Sequence, residues 1–303
     1  MQNNTLHQKQ SSHTQEDLHQ GSSRLELALA KIREDWKSGA GPALMSHVVL
    51  GYPSLRESID IVKAMVDGGA SLVELQIPFS DPLADGPVIM RANHQALAQG
   101  LRPKDCMGAM EELSRSVCVP LLFMTYFNLV YSYNYADQSS ANVGTRAFLR
   151  DAKNAGACGC IVPDVPPEES HEGFQSFSRE IGLAAVPIVS PVSTESRLQK
   201  VAQMSGQDGF VYCVSTTGTT GVRVDLPKEL EAYLSRVRKH FSQPIALGFG
   251  ISSSDQVREL GRCAEIAVVG SATIKFLDAL ATELSYAQRL NAVSGFIRGL
   301  LGR

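Results

Sequence analysis

Residues 43–57 read ALMSHVVLGYPSLRE, and the residues just past the strand in this stretch decide the fold. ALMSHVVL is an apolar run of strand length with two valines, as a buried strand requires. It leads into Gly51-Tyr52-Pro53. A doubly wound nucleotide-binding sheet would normally place a glycine-rich phosphate loop there. Ser54 and Glu57 then open a helix with the spacing of a capping box, in which each side chain bonds the other's backbone N–H. Ile59, Val62 and Val66 fall on one face of that helix.

The same alternation continues outward along the chain. Further strands are predicted at 72–77, 120–126, 159–162, 184–189, 209–214, 244–247 and 265–269. Helical patterns separate them, at 90–99, 104–116, 146–154, 168–181, 194–204, 228–241 and 254–262, with a last helix at 286–301. Residues 24–37 form an extra helix before the first strand, and 132–145 is a polar loop after the third. Eight strands joined by helices pair in parallel through right-handed crossovers. The predicted fold is therefore α/β, a (β/α)8 TIM barrel with an extra N-terminal helix. Residues 23–303 read as a single barrel catalytic domain, and residues 1–22 as a disordered polar tail. The tail lacks the apolar core of a signal peptide. Its histidines, His7, His13 and His19, are six apart, a spacing that gathers them on no helical face.

Composition narrows the partners. The 303 residues are 44% hydrophobic, and 28 basic residues against 31 acidic ones give a net charge of −3. That balance suits a soluble domain and excludes a phosphate-backbone binder, so no nucleic acid is expected. The longest apolar stretch, 182–189, is too short to span a bilayer. Of six cysteines only Cys158 and Cys160 lie close together, and C-x-C alone is a poor zinc signature. A reduced, cytoplasmic protein with no metal is expected.

Working residues of a β/α barrel lie at the C-terminal ends of its strands and in the loops beyond. In the second strand, LVELQI, Val73, Leu75 and Ile77 alternate with Glu74 and Gln76. The apolar set faces the helices, which sends Glu74 and Gln76 into the barrel mouth. A buried carboxylate is costly to keep ionised without a partner, and such a group suits general acid–base work. An interior arginine could instead pair with it, but no strand contains one. The next loop, PFSDPLADGP, adds Asp81 and Asp85, either of which could simply cap a turn or helix. Glycine-bearing turns come after the last three strands: Ser215 to Gly221, Gly248-Phe249-Gly250-Ile251 and Gly270-Ser271-Ala272. Together they point to a phosphorylated substrate, because glycine lets backbone N–H groups approach an anion closely. No strand carries a lysine for a Schiff base, and no His or carboxylate cluster has metal-site spacing. Metal-free acid–base chemistry on a small phosphate ester remains.

Four stretches carry a family resemblance: LQIPFSDPLADGP at 75–87, NLVY at 128–131, VPDVPPEE at 162–169 and GFGIS at 248–252. They resemble, in order, the signatures of tryptophan synthase alpha subunits. The resemblance implies cleavage of indole-3-glycerol phosphate to indole and glyceraldehyde 3-phosphate. Glu74 matches the main acid–base carboxylate, and Asp85 matches the carboxylate that attends the indole N–H. Gly221, Gly250, Gly270 and Ser271 match phosphate-binding positions, while Tyr126, Tyr212 and Phe249 match residues lining the indole pocket. No cofactor is implied for this chain. Pyridoxal phosphate is expected in a beta subunit, the implied partner in an alpha2beta2 heterotetramer. A stand-alone lyase, or a barrel kept mainly as an allosteric partner of the beta subunit, shares most of these features. The chain departs from the family pattern at Gln76, usually glycine, which adds bulk and a hydrogen-bonding group at the barrel mouth. It departs at His47, usually an aromatic lining the indole pocket. It departs again in a longer loop after the third strand and at Thr219, where valine is common.

Overall fold

The computed structural model describes residues 21–135, 142–169, 171–206, 209–215, 228–248, 250–280 and 283–303. Nine parallel strand segments carry the architecture: β1 (Ala43–Val49), β2 (Leu72–Gln76), β3 (Leu121–Met124), β4 (Gly159–Ile161), β5 (Ala184–Val186), β6 (Ile188–Val189), β7 (Val211–Val214), β8 (Ile245–Gly248) and β9 (Ile266–Val269). Their order is β5-β4-β3-β2-β1-β9-β8-β7-β6. The predicted strand at 184–189 thus becomes two, divided at Pro187, which has no N–H to give a ladder. Its first half pairs with β4 and its second with β7. The Pro187 carbonyl still accepts from Tyr212 N at 2.9 Å. One chain segment thereby serves two neighbours and brings the ring round on itself as a nearly closed TIM barrel.

The helices are α1 (Gly21–Lys37), α2 (Leu55–Asp67), α3 (Pro87–Ala98), α4 (Pro103–Ser116), α5 (Phe127–Tyr131), α6 (Gly144–Asn154), α7 (Phe174–Glu180), α8 (Glu195–Ser205), α9 (Lys228–His240), α10 (Ser254–Leu260), α11 (Ser271–Ala279) and α12 (Tyr286–Leu300). Two of them, α5 and α11, have no counterpart among the predicted helices. The helix expected at 168–181 shrinks to α7, because a 3-10 turn with Glu172 at φ 46° precedes it. The capping box of α2 forms only in part. Ser54 Oγ accepts from Glu57 N at 3.2 Å, but the Glu57 carboxylate accepts from the Ser54 hydroxyl at 2.8 Å and not from its backbone. The predicted tail falls, through residue 20, outside the described residues.

Alternation along the strands sorts the core into two layers. Val73, Leu75, Ile77, Phe123 and Leu247 point outward and pack with the helices. Met45, Leu72, Leu122, Phe210 and Ile266 point inward. They lie at or near the N-terminal ends of their strands, and Leu25, Leu29 and Ile32 of α1 pack against them. The extra helix is therefore a plug for the lower end of the barrel. Arg24 holds its start in place, donating from Nη1 to the Ser114 carbonyl near the end of α4 at 3.2 Å. Among the described residues no helix is long and apolar enough to cross a membrane. The six cysteines are all free.

Candidate active site

Above the apolar lower interior, the next inward positions on β1, β2 and β7 are the polar His47, Glu74 and Tyr212, while β3 and β9 offer Met124 and Val268. The parallel register of β1 and β2 sets His47 beside Glu74. Both point into the barrel and both are only 3% exposed. His47 Nδ1 lies 2.8 Å from Glu74 Oε1. Burial by itself pushes an imidazole toward neutrality, but the bond and charge of Glu74, with the charge of Asp85, outweigh it and raise the His47 pKa. Nδ1–H accordingly donates to the carboxylate. The expected alternative partner, an arginine, is thus replaced by a histidine from the neighbouring strand. By distance and angle His47 Nε2 and Glu74 Oε2 have no hydrogen-bond partner, although Tyr212 also interacts with the Glu74 carboxylate and Gln76 with the imidazole.

Gln76, two residues further up the same face of β2, is fully buried. Its Nε2 donates to Asp85 Oδ2 at 2.6 Å. Tyr126 OH donates to the same oxygen at 3.2 Å and accepts from Ala84 N at 3.1 Å. Its ring stacks on Phe79 with centroids 5.1 Å apart, so the loop after β2 is tied down at both ends. Asp85 does not cap α3. The N-cap is Gly86, followed by Pro87 at the first helical position. The Asp81 carboxylate accepts a local bond from Ser80 Oγ at 2.9 Å, and its carbonyl accepts from Leu83 N in the turn. Burial raises the Asp85 pKa, against the His47 charge and the hydrogen bonds from Gln76 and Tyr126, which favour the anion. Tyr212, facing inward from β7, is held protonated by burial and by the charges of Glu74 and Asp85.

These groups meet in a cavity of about 570 Å³ at the C-terminal ends of the strands, lined by His47, Glu74, Asp85, Tyr212, Gly250, Gly270, Ser271 and Lys275 among others. The turn after β9 runs straight into α11, with Gly270 at the N-cap and Ser271 as the first helical residue. Free N–H groups and the positive end of the helix dipole therefore face the cavity. Gly250 has φ +65°, a left-handed conformation that glycine adopts without strain. Gln256 Oε1 orders the loop beyond it by accepting from Ser252 N at 2.8 Å.

The structure thus brings together Glu74, Asp85, Tyr212, Gly250, Gly270 and Ser271. Tyr126 stands behind Asp85 and is not on the cavity wall, because its hydroxyl is engaged with Asp85 and Ala84. Gly221 and Phe249 lie outside the described residues. Three further side chains belong to the site: Gln76, already expected to face the barrel mouth, His47, at a position expected to line the pocket, and Lys275, which was not expected there. Lys275 could have been found from α11: four residues past Ser271, it lies on the same helical face one turn on. The bonds from His47 to Glu74 and from Gln76 to Asp85 depend on strand register and loop path. The sequence places Gln76 in the barrel mouth and marks both residues as departures from the family pattern, but it shows neither bond.

A buried carboxylate, a half-buried one and a helix N-terminus opening on one cavity at the C-terminal mouth define a β/α barrel equipped for acid–base chemistry on an anionic ester. The sequence profile described as "Tryptophan synthase alpha chain" matches residues 34–298. The tryptophan synthase alpha chain of Syntrophotalea carbinolica is 39% identical over 257 residues, covering 85% of this chain and 93% of its own. That of Desulfotalea psychrophila is 40% identical over 252 residues, covering 83% and 94%. A solved structure of Mycobacterium tuberculosis tryptophan synthase superposes with a TM-score of 0.75 at 31% identity, covering 90% of this chain and 97% of that one. The chain belongs to the tryptophan synthase alpha chain family.

Proposed function

We propose that this chain is a lyase that splits indole-3-glycerol phosphate into indole and glyceraldehyde 3-phosphate, the alpha reaction in the last stage of L-tryptophan biosynthesis. The observation that carries the reading is the convergence of Glu74, Asp85 and the N-terminus of α11 on one cavity. The phosphate sits against Gly250, Gly270 and Ser271, with Lys275 at the rim. The indole ring lies toward Tyr212, and Asp85 takes or stabilises its N–H proton. Protonation at indole C3 turns the ring into an electron sink. Glu74 removes the proton from the side-chain hydroxyl next to the ring, and the carbon–carbon bond breaks. Glu74 Oε2, buried and without a partner, is the oxygen free to do so.

On this reading the chain needs no cofactor of its own, works in the cytoplasm and passes indole to a beta subunit that carries pyridoxal phosphate. A partner is favoured by large apolar side chains exposed on loops beyond the strand ends. Leu83 after β2 is 93% exposed and Val192 after β6 is 79% exposed. Tyr131 and Tyr135, beyond β3, are also exposed. Apolar side chains exposed around the mouth suit a docking face.

The test is Glu74→Gln, which keeps size but cannot exchange the proton. Cleavage of indole-3-glycerol phosphate should fall by about 10²- to 10⁴-fold, the usual contribution of a positioned acid–base group. The circular dichroism spectrum should stay unchanged. A folded variant with normal turnover would remove Glu74 from the reaction.

A further inference from the structure

Resting on the lyase function proposed for this chain, we infer that His47 is a third catalytic residue, the acid that protonates indole C3, paired with Glu74 as the base.

The retro-aldol step needs one proton delivered and another withdrawn. The structure offers one atom for each task. His47 Nε2 and Glu74 Oε2 are both buried and both lack a hydrogen-bond partner. They belong to side chains that are 3% exposed and line the same cavity. Buried polar atoms without partners are rare, because each costs the full desolvation of the group. Two on neighbouring strands facing one cavity fit a ligand that supplies an acceptor to one and a donor to the other. The remaining atoms of the pair, Nδ1 and Oε1, are joined at 2.8 Å, so neither ring nor carboxylate can turn away.

The groups that face His47 favour its charged form. Glu74 on β2 and Asp85 in the following loop are acidic, and Tyr212 on β7 is held neutral. The β9 side offers Val268 and Gly270, which carry no charge, and Lys275 lies in the wall of the same cavity.

The step balances. The His47 Nε2–H proton goes to indole C3, where the ring's C2–C3 π pair forms the new C–H bond and the ring nitrogen becomes electron-poor. Glu74 Oε2 takes the hydroxyl proton. The freed oxygen pair forms the aldehyde C=O, and the carbon–carbon bonding pair returns to the ring to restore its double bond. His47 is left neutral and Glu74 protonated. Proton exchange with water after the products leave restores the original pair, with no redox change.

The experiment compares wild type, His47→Phe and His47→Asn in steady-state cleavage of indole-3-glycerol phosphate, with the beta subunit present, across pH. Both variants should lose about 10²-fold in kcat, with KM within about threefold. Wild-type kcat should fall at alkaline pH as His47 loses its proton, and that limb should vanish in both variants. Nitrogen-15 NMR of the imidazole in the folded wild type should show both ring nitrogens protonated at neutral pH, and the charged form should be lost at lower pH in Glu74→Gln. A kcat within about threefold of wild type in a folded His47 variant, with the alkaline limb intact, would overturn the assignment, as would a neutral imidazole at pH 7. No cleavage by wild type would bring down the lyase reading itself. Cleavage by wild type and both variants alike would bring down the role of His47 alone.

Discussion

Asp85 Oδ2 accepts from two side chains, Gln76 at 2.6 Å and Tyr126 at 3.2 Å. Hydrogen bonds to a charged acceptor contribute roughly 1.5–3 kcal/mol each. Gln76 sets the carboxylate from within the barrel wall, while Tyr126 sets it from behind. Gln76→Leu keeps comparable bulk and removes the shorter bond. If Asp85 must be oriented toward the indole N–H, kcat should fall by about tenfold or more, the equivalent of about 1.4 kcal/mol. KM should stay within about threefold. Steady-state kinetics decides, and an unchanged kcat would show that Tyr126 holds Asp85 unaided. His47 and Gln76, two departures from the family pattern, thus each hold one of the two carboxylates. The added bulk of Gln76 at the mouth is only half of its role.

At the scale of elements, the N-terminus of α11 is the proposed phosphate site. A Cβ at Gly270 would meet its nearest neighbour, His47 Cβ, at 3.5 Å, an ordinary contact. Its φ of −115° lies outside the left-handed region that favours glycine. Gly270→Asp should therefore fold normally, and aspartate is itself a favoured N-cap. It would nevertheless set a negative charge at the proposed anion site. Affinity for glycerol 3-phosphate, measured by calorimetry, should drop at least about tenfold, and unchanged affinity would place the phosphate elsewhere. Elements also explain what the sequence makes legible. Strand two is legible because Val73, Leu75 and Ile77 alternate with Glu74 and Gln76, a pattern that fixes which face each takes. The glycine turns are legible as turns. The α11 helix is not, because it starts directly at Ser271, with Gly270 at its N-cap and no polar capping side chain to announce it. The break at Pro187 is hidden because 184–189 reads as one apolar run. The pairing of His47 with Glu74 is hidden for a different reason. The two are 27 residues apart, and only the register of β1 on β2 makes them neighbours.

At the scale of the whole molecule, the loop bearing Asp85 and the exposed Leu83 sits at the mouth where a partner would dock. Docking that favours a closed arrangement of this loop should raise lyase activity, as closure of catalytic lids does. Titrating the chain with its beta subunit while following indole-3-glycerol phosphate should show rising turnover that saturates at a fixed ratio. Full activity without the partner, together with no complex in sedimentation, would favour the stand-alone lyase. A complex without cleavage would favour a regulatory role. The opposite end of the barrel gives this arrangement a direction. Leu25, Leu29 and Ile32 of α1 stop the lower end as a cork stops a flask. Freshly made indole therefore leaves by the neck through which its parent entered, and a subunit seated on that neck becomes the gatekeeper that decides whether the product is handed onward or spilled.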